Sequence, residues 1–281
     1  MTSPMPAKIA LRLGVIGLAA AATLAGCNRN KTEPAAPAAA PATAAAPALS
    51  TAPLDFNSKT TFANVALKMP EAVKGQPELH TALYDASVKD LRTFTEGAQA
   101  DRTEAGGDGG MAPYEKIITF DDAVETGKLF SLARADYDYS GGAHGNTLYA
   151  GVLWDKGLKR RITGADLFIK GADYSALDRA LCAALNTAKR ARDPKAATVT
   201  LGGKDWSCPL ASRTPFVLTA GTTPGKAGGL TFLVGPYQIG PYSDGAYQVS
   251  LPQTAFRTLL APVYADEFAG QPVAPPAKPK A

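Results

Sequence analysis

From Pro34 to Ala48 the chain is almost wholly alanine and proline with a single threonine, and such a segment offers nothing from which a core can be built. A second run of the same kind, Gly270 to Ala281, carries Pro272, Pro275, Pro276 and Pro279. Whatever folds must lie between about Leu54 and Ala269. That leaves about 215 residues, enough for one large or two small cores. Extended at roughly 3.1 Å per residue, the segment from Asn28 to Pro53 would let such a body stand up to about 80 Å from its attachment point.

The start of the chain supplies that attachment. Lys8 and Arg12 precede an apolar run from Leu13, and the run closes on Leu24-Ala25-Gly26-Cys27. A basic start, an apolar centre too short to span a bilayer and a small-residue exit form a secretory signal. The exit resembles the lipobox of bacterial lipoproteins. The resemblance implies removal of residues 1–26, with Cys27 as the first mature residue and the bearer of acyl chains. Each buried methylene contributes roughly 0.8 kcal/mol, so more than one chain makes attachment to a membrane stable. Asn28, standing where an aspartate would signal retention, favours the outer membrane. The expected location is therefore the periplasmic side of the envelope.

In that compartment the three cysteines resolve into one lipid bearer and one pair. Cys182 and Cys208 are expected to form a disulfide, with two buried thiols as the alternative. A bridge closing a loop of this length would add on the order of 3 to 4 kcal/mol. Charge points away from nucleic acid. Setting aside Lys8, Arg12, Arg29, Lys31, Lys278, Lys280 and Glu33 from 29 basic and 25 acidic residues leaves 23 and 24 in the body. The pI of 8.8 is thus a property of the ends.

Within the body, Phe62, Val65 and Leu67 predict an opening strand. Leu79, Leu83, Ala86, Leu91, Phe94 and Ala98 predict one face of a helix over 77–102, with Pro77 in its first turn. Three strands follow, 114–124, 128–139 and 147–154, divided by Gly127 and by Gly141 to Gly145, and they should pair as a meander. In the third, Leu148, Ala150, Val152 and Trp154 share the side expected to be buried. Ser175 with Asp178 has capping-box spacing and opens a second helix that Asp193-Pro194 closes. Strands at 216–219, 230–234 and 247–251 and a short helix over 252–260 complete the chain. The fold class is α+β: two mixed helix and antiparallel-sheet halves, 54–160 and 161–269, packed as one unit between the linker at 27–53 and the tail at 270–281.

Three motifs carry a resemblance. They are Tyr139-Ser140-Gly141-Gly142-Ala143-His144-Gly145, then Ile162-Thr163-Gly164-Ala165-Asp166-Leu167-Phe168, and a closing pattern of Leu230-Thr231-Phe232 with Gly235-Pro236-Tyr237-Gln238-Ile239-Gly240-Pro241-Tyr242 and Gly245. Together they resemble the domain of unknown function 3298 with its N-terminal companion, domain of unknown function 4163, over about Leu54 to Leu260. The same pair resembles the ectodomain of an anti-sigma factor that senses lysozyme, and the companion also precedes a peptidoglycan deacetylase domain. The resemblance implies a cell-wall setting, with peptidoglycan or lysozyme as partner. A lipid anchor replaces the anti-sigma factor's transmembrane helix.

The loop from Tyr139 to Gly145 is the candidate binding site, since successive glycines expose backbone amides to a partner; a tight hairpin turn is the plainer alternative. His144 would either contact the ligand or fix the loop. Asp136, Asp138, Ser140 and Gly141 match the first half of a calcium loop, but Thr147 replaces the closing glutamate and no metal is expected. His80, at the edge of the helix face, is better explained by packing. Tyr114, Tyr137, Tyr139, Tyr149, Trp154, Tyr237, Tyr242 and Tyr247 supply aromatic surface for a carbohydrate or protein patch. With no nucleophile elbow, phosphate loop or zinc motif, the expectation is a non-enzymatic envelope lipoprotein without cofactor. The alternatives are a wall hydrolase or deacetylase-like enzyme using Asp136, Asp138 and His144, and a purely structural envelope protein.

Overall fold

A computed structural model describes residues 48–107 and 112–273. The signal peptide expected over 1–26, the lipidation expected at Cys27, most of the linker and most of the tail lie outside the described residues. Six strands stand side by side in sequence order: β1 (Asp55–Lys59), β2 (Ala63–Lys68), β3 (Tyr114–Glu125), β4 (Leu129–Tyr139), β5 (Asn146–Asp155) and β6 (Arg160–Ile162). All neighbours are antiparallel except β2 and β3. A parallel pair needs a long crossover, and the 28-residue helix α1 (Pro77–Glu104) provides it. Its Leu79, Leu83, Leu91 and Ala98 pack in one cluster with Leu67, Ile118, Phe120, Phe130 and Leu132 of the sheet.

The rest of the chain builds a second layer. It contains α2 (Gly164–Leu167), α3 (Ser175–Arg192), an antiparallel sheet of β7 (Phe216–Ala220), β8 (Ala227–Val234) and β9 (Tyr247–Pro252), and α4 (Pro262–Ala265). Leu177, Leu181 and Leu185 of α3 share a core with Leu218, Phe232, Val249 and Leu251. Leu129, Leu153 and Ile162 of the six-stranded sheet belong to that same core, so both faces of the sheet's centre are covered. This explains why β4 opens with five consecutive buried residues, Leu129 to Ala133, instead of alternating. The α+β class holds, but the first sheet is mixed where an antiparallel one was expected, and its last strand, β6, runs across the expected boundary at 160/161.

Contact between the layers is close. Leu218 N donates to Ser131 Oγ at 3.1 Å, and Tyr264 Oη donates to Asp155 Oδ2 at 2.8 Å. Buried Glu267 takes Thr126 Oγ1 at 2.6 Å and Lys128 N at 2.8 Å.

Several expectations need correction. The capping box is at Thr163, which closes on Asp166, whereas Ser175 is the first residue of α3. There Asp173 accepts from the Ser175 amide at 2.9 Å, and Asp178 turns outward to accept Ala211 N at 2.7 Å. The stretch 252–260 forms two 3-10 turns, Gln253–Ala255 and Arg257–Leu259, in place of a helix. In β5, Val152 and Trp154 are buried but Leu148 is 62 % exposed, because the strand's first half runs past the layer that covers its second. The disulfide is present, Cys182 to Cys208.

Candidate binding site

The loop Ser140–Gly145 joins β4 to β5 at the end of the sheet. Gly141 and Gly142 have φ of +95° and +94°, a region that glycine enters without steric cost, and Tyr139 Oη donates to Gly142 O at 3.1 Å. Gly145 is a different requirement: a β-carbon there would lie 2.4 Å from the Tyr137 ring. Burial pushes the Tyr137 hydroxyl above its ordinary pKa, with the Glu115 carboxylate adding to the effect. The loop is therefore fixed at both ends by tyrosines of β4.

His144 is where the loop meets the second layer. Its Nδ1 lies 2.9 Å from Gly145 O, a pure acceptor, so Nδ1 carries the hydrogen. Nε2 is then the acceptor, and Tyr237 Oη donates to it at 3.1 Å. The imidazole also stacks on Tyr242, with ring centroids 3.6 Å apart and planes 11° from parallel. Tyr237 and Tyr242 complete the cluster at 5.5 Å. Tyr237 is 51 % exposed and has φ of 65°, so a bulky side chain is held in the left-handed region at a cost of about 1–2 kcal/mol. A cavity of about 300 Å³ adjoins it, lined by Thr147, Leu148, Pro215, Gly235, Tyr237 and Gln238.

Two of the three motifs thus converge, the glycine loop and the closing Pro-Tyr turn. Tyr137 and Tyr139 also stand at the loop and Tyr149 lines the cavity, whereas the three remaining aromatic candidates lie elsewhere. Trp154 and Tyr247 are buried in the core, and Tyr114 packs against Phe94 and Arg102. Of the acid-base candidates, Asp138 stands opposite Lys116 of β3, and the other two are engaged with different partners. Asp136 pairs with Arg134 at 2.8 Å, and Arg134 reaches Asp90 of α1, while His144 is committed to the tyrosines of the other layer. Among the described residues no three histidine, cysteine, aspartate or glutamate side chains converge as metal ligands. His80 is fully buried with Nε2 3.0 Å from Pro53 O, and desolvation lowers its pKa, as a packed histidine requires. No described helix is long and apolar enough to cross a membrane.

Sequence reasoning missed a second concentration of polar groups, at the C-terminal end of α3. There Lys189, Arg192 and Trp206 border a cavity of about 680 Å³. Three cations in the last turn of α3 were the available signal, but they fit equally well the ordinary preference for positive charge at a helix C-terminus.

A model of the family described as deacetylase PdaC matches residues 56–147, about a third of the chain, from β1 through the glycine loop. No curated protein matches the sequence. Among solved structures, a domain of unknown function 3298 family protein from Pseudomonas aeruginosa is 20 % identical, with a TM-score of 0.51 over 77 % of this chain and 94 % of that one. A second such protein, from Bacteroides fragilis, is 20 % identical over 73 % and 86 % of the two chains, with a TM-score of 0.45. The chain shares the fold of the Pseudomonas protein across nearly that protein's whole length, the fold its three motifs led us to expect.

Proposed function

We propose that the chain is an exported, lipid-anchored envelope protein whose body binds a cell-wall component at the His144–Tyr237–Tyr242 cluster without transforming it. One observation carries this: a tyrosine held in an unfavourable backbone conformation, half exposed, with its hydroxyl tied to a histidine that stacks on a second tyrosine. Backbone strain persists where the surroundings over-determine it, and such positions cluster at binding sites. Aromatic rings with polar tips beside a small cavity suit a sugar ring, whose apolar face stacks and whose hydroxyls need hydrogen-bond partners. The signal-like start and the Ala/Pro tether supply the setting.

Immobilised protein should retain soluble peptidoglycan fragments at moderate salt, and Tyr237→Ala should abolish the retention. Retention of lysozyme and not of fragments would move the partner from wall to wall-directed protein. Fractionation of cells, with mass spectrometry of the N-terminal peptide, tests the anchor on Cys27. The match to a family described as a deacetylase supports a second reading, action on a wall glycan. Acetate or new reducing ends released from peptidoglycan by the pure protein would establish it.

A further inference from the structure

A cavity of about 680 Å³ lies beside the 240–244 turn, the same turn whose Tyr242 stacks on His144. Its floor is the end of α3. Lys189, only 5 % exposed, pairs with Asp244 at 3.0 Å and donates to Ile239 O at 2.8 Å. Gly240 makes room for that pair, since a β-carbon there would sit 2.2 Å from the Asp244 carboxylate. Arg192 lies 3.9 Å over the Tyr247 ring and donates to the carbonyls of Asp244 and Ala246.

The facing wall is the loop 199–208, and it is fastened three ways. Asn186 Nδ2 donates to Val199 O and Asn186 Oδ1 accepts from Val199 N, both at 2.8 Å. Cys208 N donates to Thr200 O at 2.9 Å, and the disulfide joins Cys208 to α3. The loop buries Val199 and Cys208 in the core, yet it leaves Leu201 40 % and Trp206 38 % exposed. The fastening also holds Trp206 and Lys204 in the lining of the cavity that Arg192 borders.

We propose that this cavity is a second binding site, for an acidic saccharide: Trp206 stacks on a sugar ring while Arg192, Lys195 and Lys204 receive its carboxylate. The charge count selects the class. Lys189 is matched by Asp244, and the remaining three cations line the cavity with Asp193 and Asp205, an excess of one positive charge. That suits one acidic group per bound unit, with the two aspartates accepting from sugar hydroxyls. A polyphosphate or nucleic acid would instead bring its charges against both aspartates.

Tryptophan fluorescence reads the site directly, because Trp154 is 6 % exposed and Trp206 is the accessible indole. Titrating the full chain with trigalacturonate should give a saturable change that Trp206→Phe removes. Neutral chitotriose should bind at least tenfold more weakly. Lys195→Ala/Lys204→Ala should weaken trigalacturonate at least tenfold with an unchanged urea midpoint, both lysines being exposed. Opening the disulfide with dithiothreitol should weaken it as well. No saturable change, equal affinity for chitotriose, full binding by the double variant, or tighter binding of a short polyphosphate would each overturn the proposal.

Discussion

The carbonyl oxygen of Phe216 occupies the place where a side chain on Gly151 would begin: a β-carbon there would lie 2.0 Å from that oxygen. The first residue of β7 rests directly on β5, and the obstacle is backbone, which cannot swing away. Gly151→Ala should therefore cost about 3 kcal/mol or more, at the upper end of overpacking effects. Gly97, on the exposed side of α1 with nothing within 4 Å, is the control, and Gly97→Ala should stabilise by up to about 1 kcal/mol. Urea midpoints of the two variants should move in opposite directions.

Tyr264 reaches across the layers to Asp155, whose other oxygen accepts the amides of Gly157 and Leu158. Burial, then the Asp155 hydrogen bond, pushes the Tyr264 hydroxyl from 10.0 up to about 12. The folded state thus holds this proton more tightly than the unfolded chain does. The stability it contributes is fully present below pH 10 and is lost as pH rises from there through 12. Tyr264→Phe should cost about 1–3 kcal/mol at pH 8. The variant's deficit should shrink between pH 10 and 12, as read from urea unfolding at each pH.

The Cys182–Cys208 bridge closes a separation of 26 residues, for which loop entropy gives a contribution of about 3.5 kcal/mol. Cys182→Ser/Cys208→Ser should lower the urea midpoint accordingly. Amide exchange should quicken first between Val199 and Ser207, where the bridge and Asn186 are the principal restraints. Equal quickening across α3 would show that the bridge supports the core instead.

The long periodic elements were legible in the sequence. α1 and the β3–β5 meander were readable because apolar spacing persists over many residues and glycines divide them. β1 was not, since Asp55–Lys59 has one large apolar residue and exposure that alternates only between partial and full. β6 has three residues and one buried side chain, Ile162. The cap was misplaced because Ser175 and Asp178 share the spacing of Thr163 and Asp166, and only the neighbouring Asp173 decides between them. At the candidate site the glycines marked the loop, but His144 and Tyr237 are 93 residues apart, and nothing local in either motif says that they meet.

Tyr237 separates stability from binding. Its φ of 65° costs about 1–2 kcal/mol for a residue with a β-carbon and almost nothing for glycine. Tyr237→Gly removes that cost but also loses the hydrogen bond to His144 Nε2, worth about 1 kcal/mol, and roughly 2 kcal/mol of burial from the half-buried ring. The strain relief offsets much of the loss, so the urea midpoint should fall only modestly. Retention of peptidoglycan fragments should nevertheless disappear, because the ring that closes the cluster beside the 300 Å³ cavity is gone. Tyr237→Phe divides the two contributions further: it keeps the ring and the strain and loses only the hydroxyl, so it should be less stable than the wild type and still retain fragments. Were Tyr237→Gly both markedly destabilised and fully able to retain fragments, the strained tyrosine would be a structural element and the binding surface would lie elsewhere.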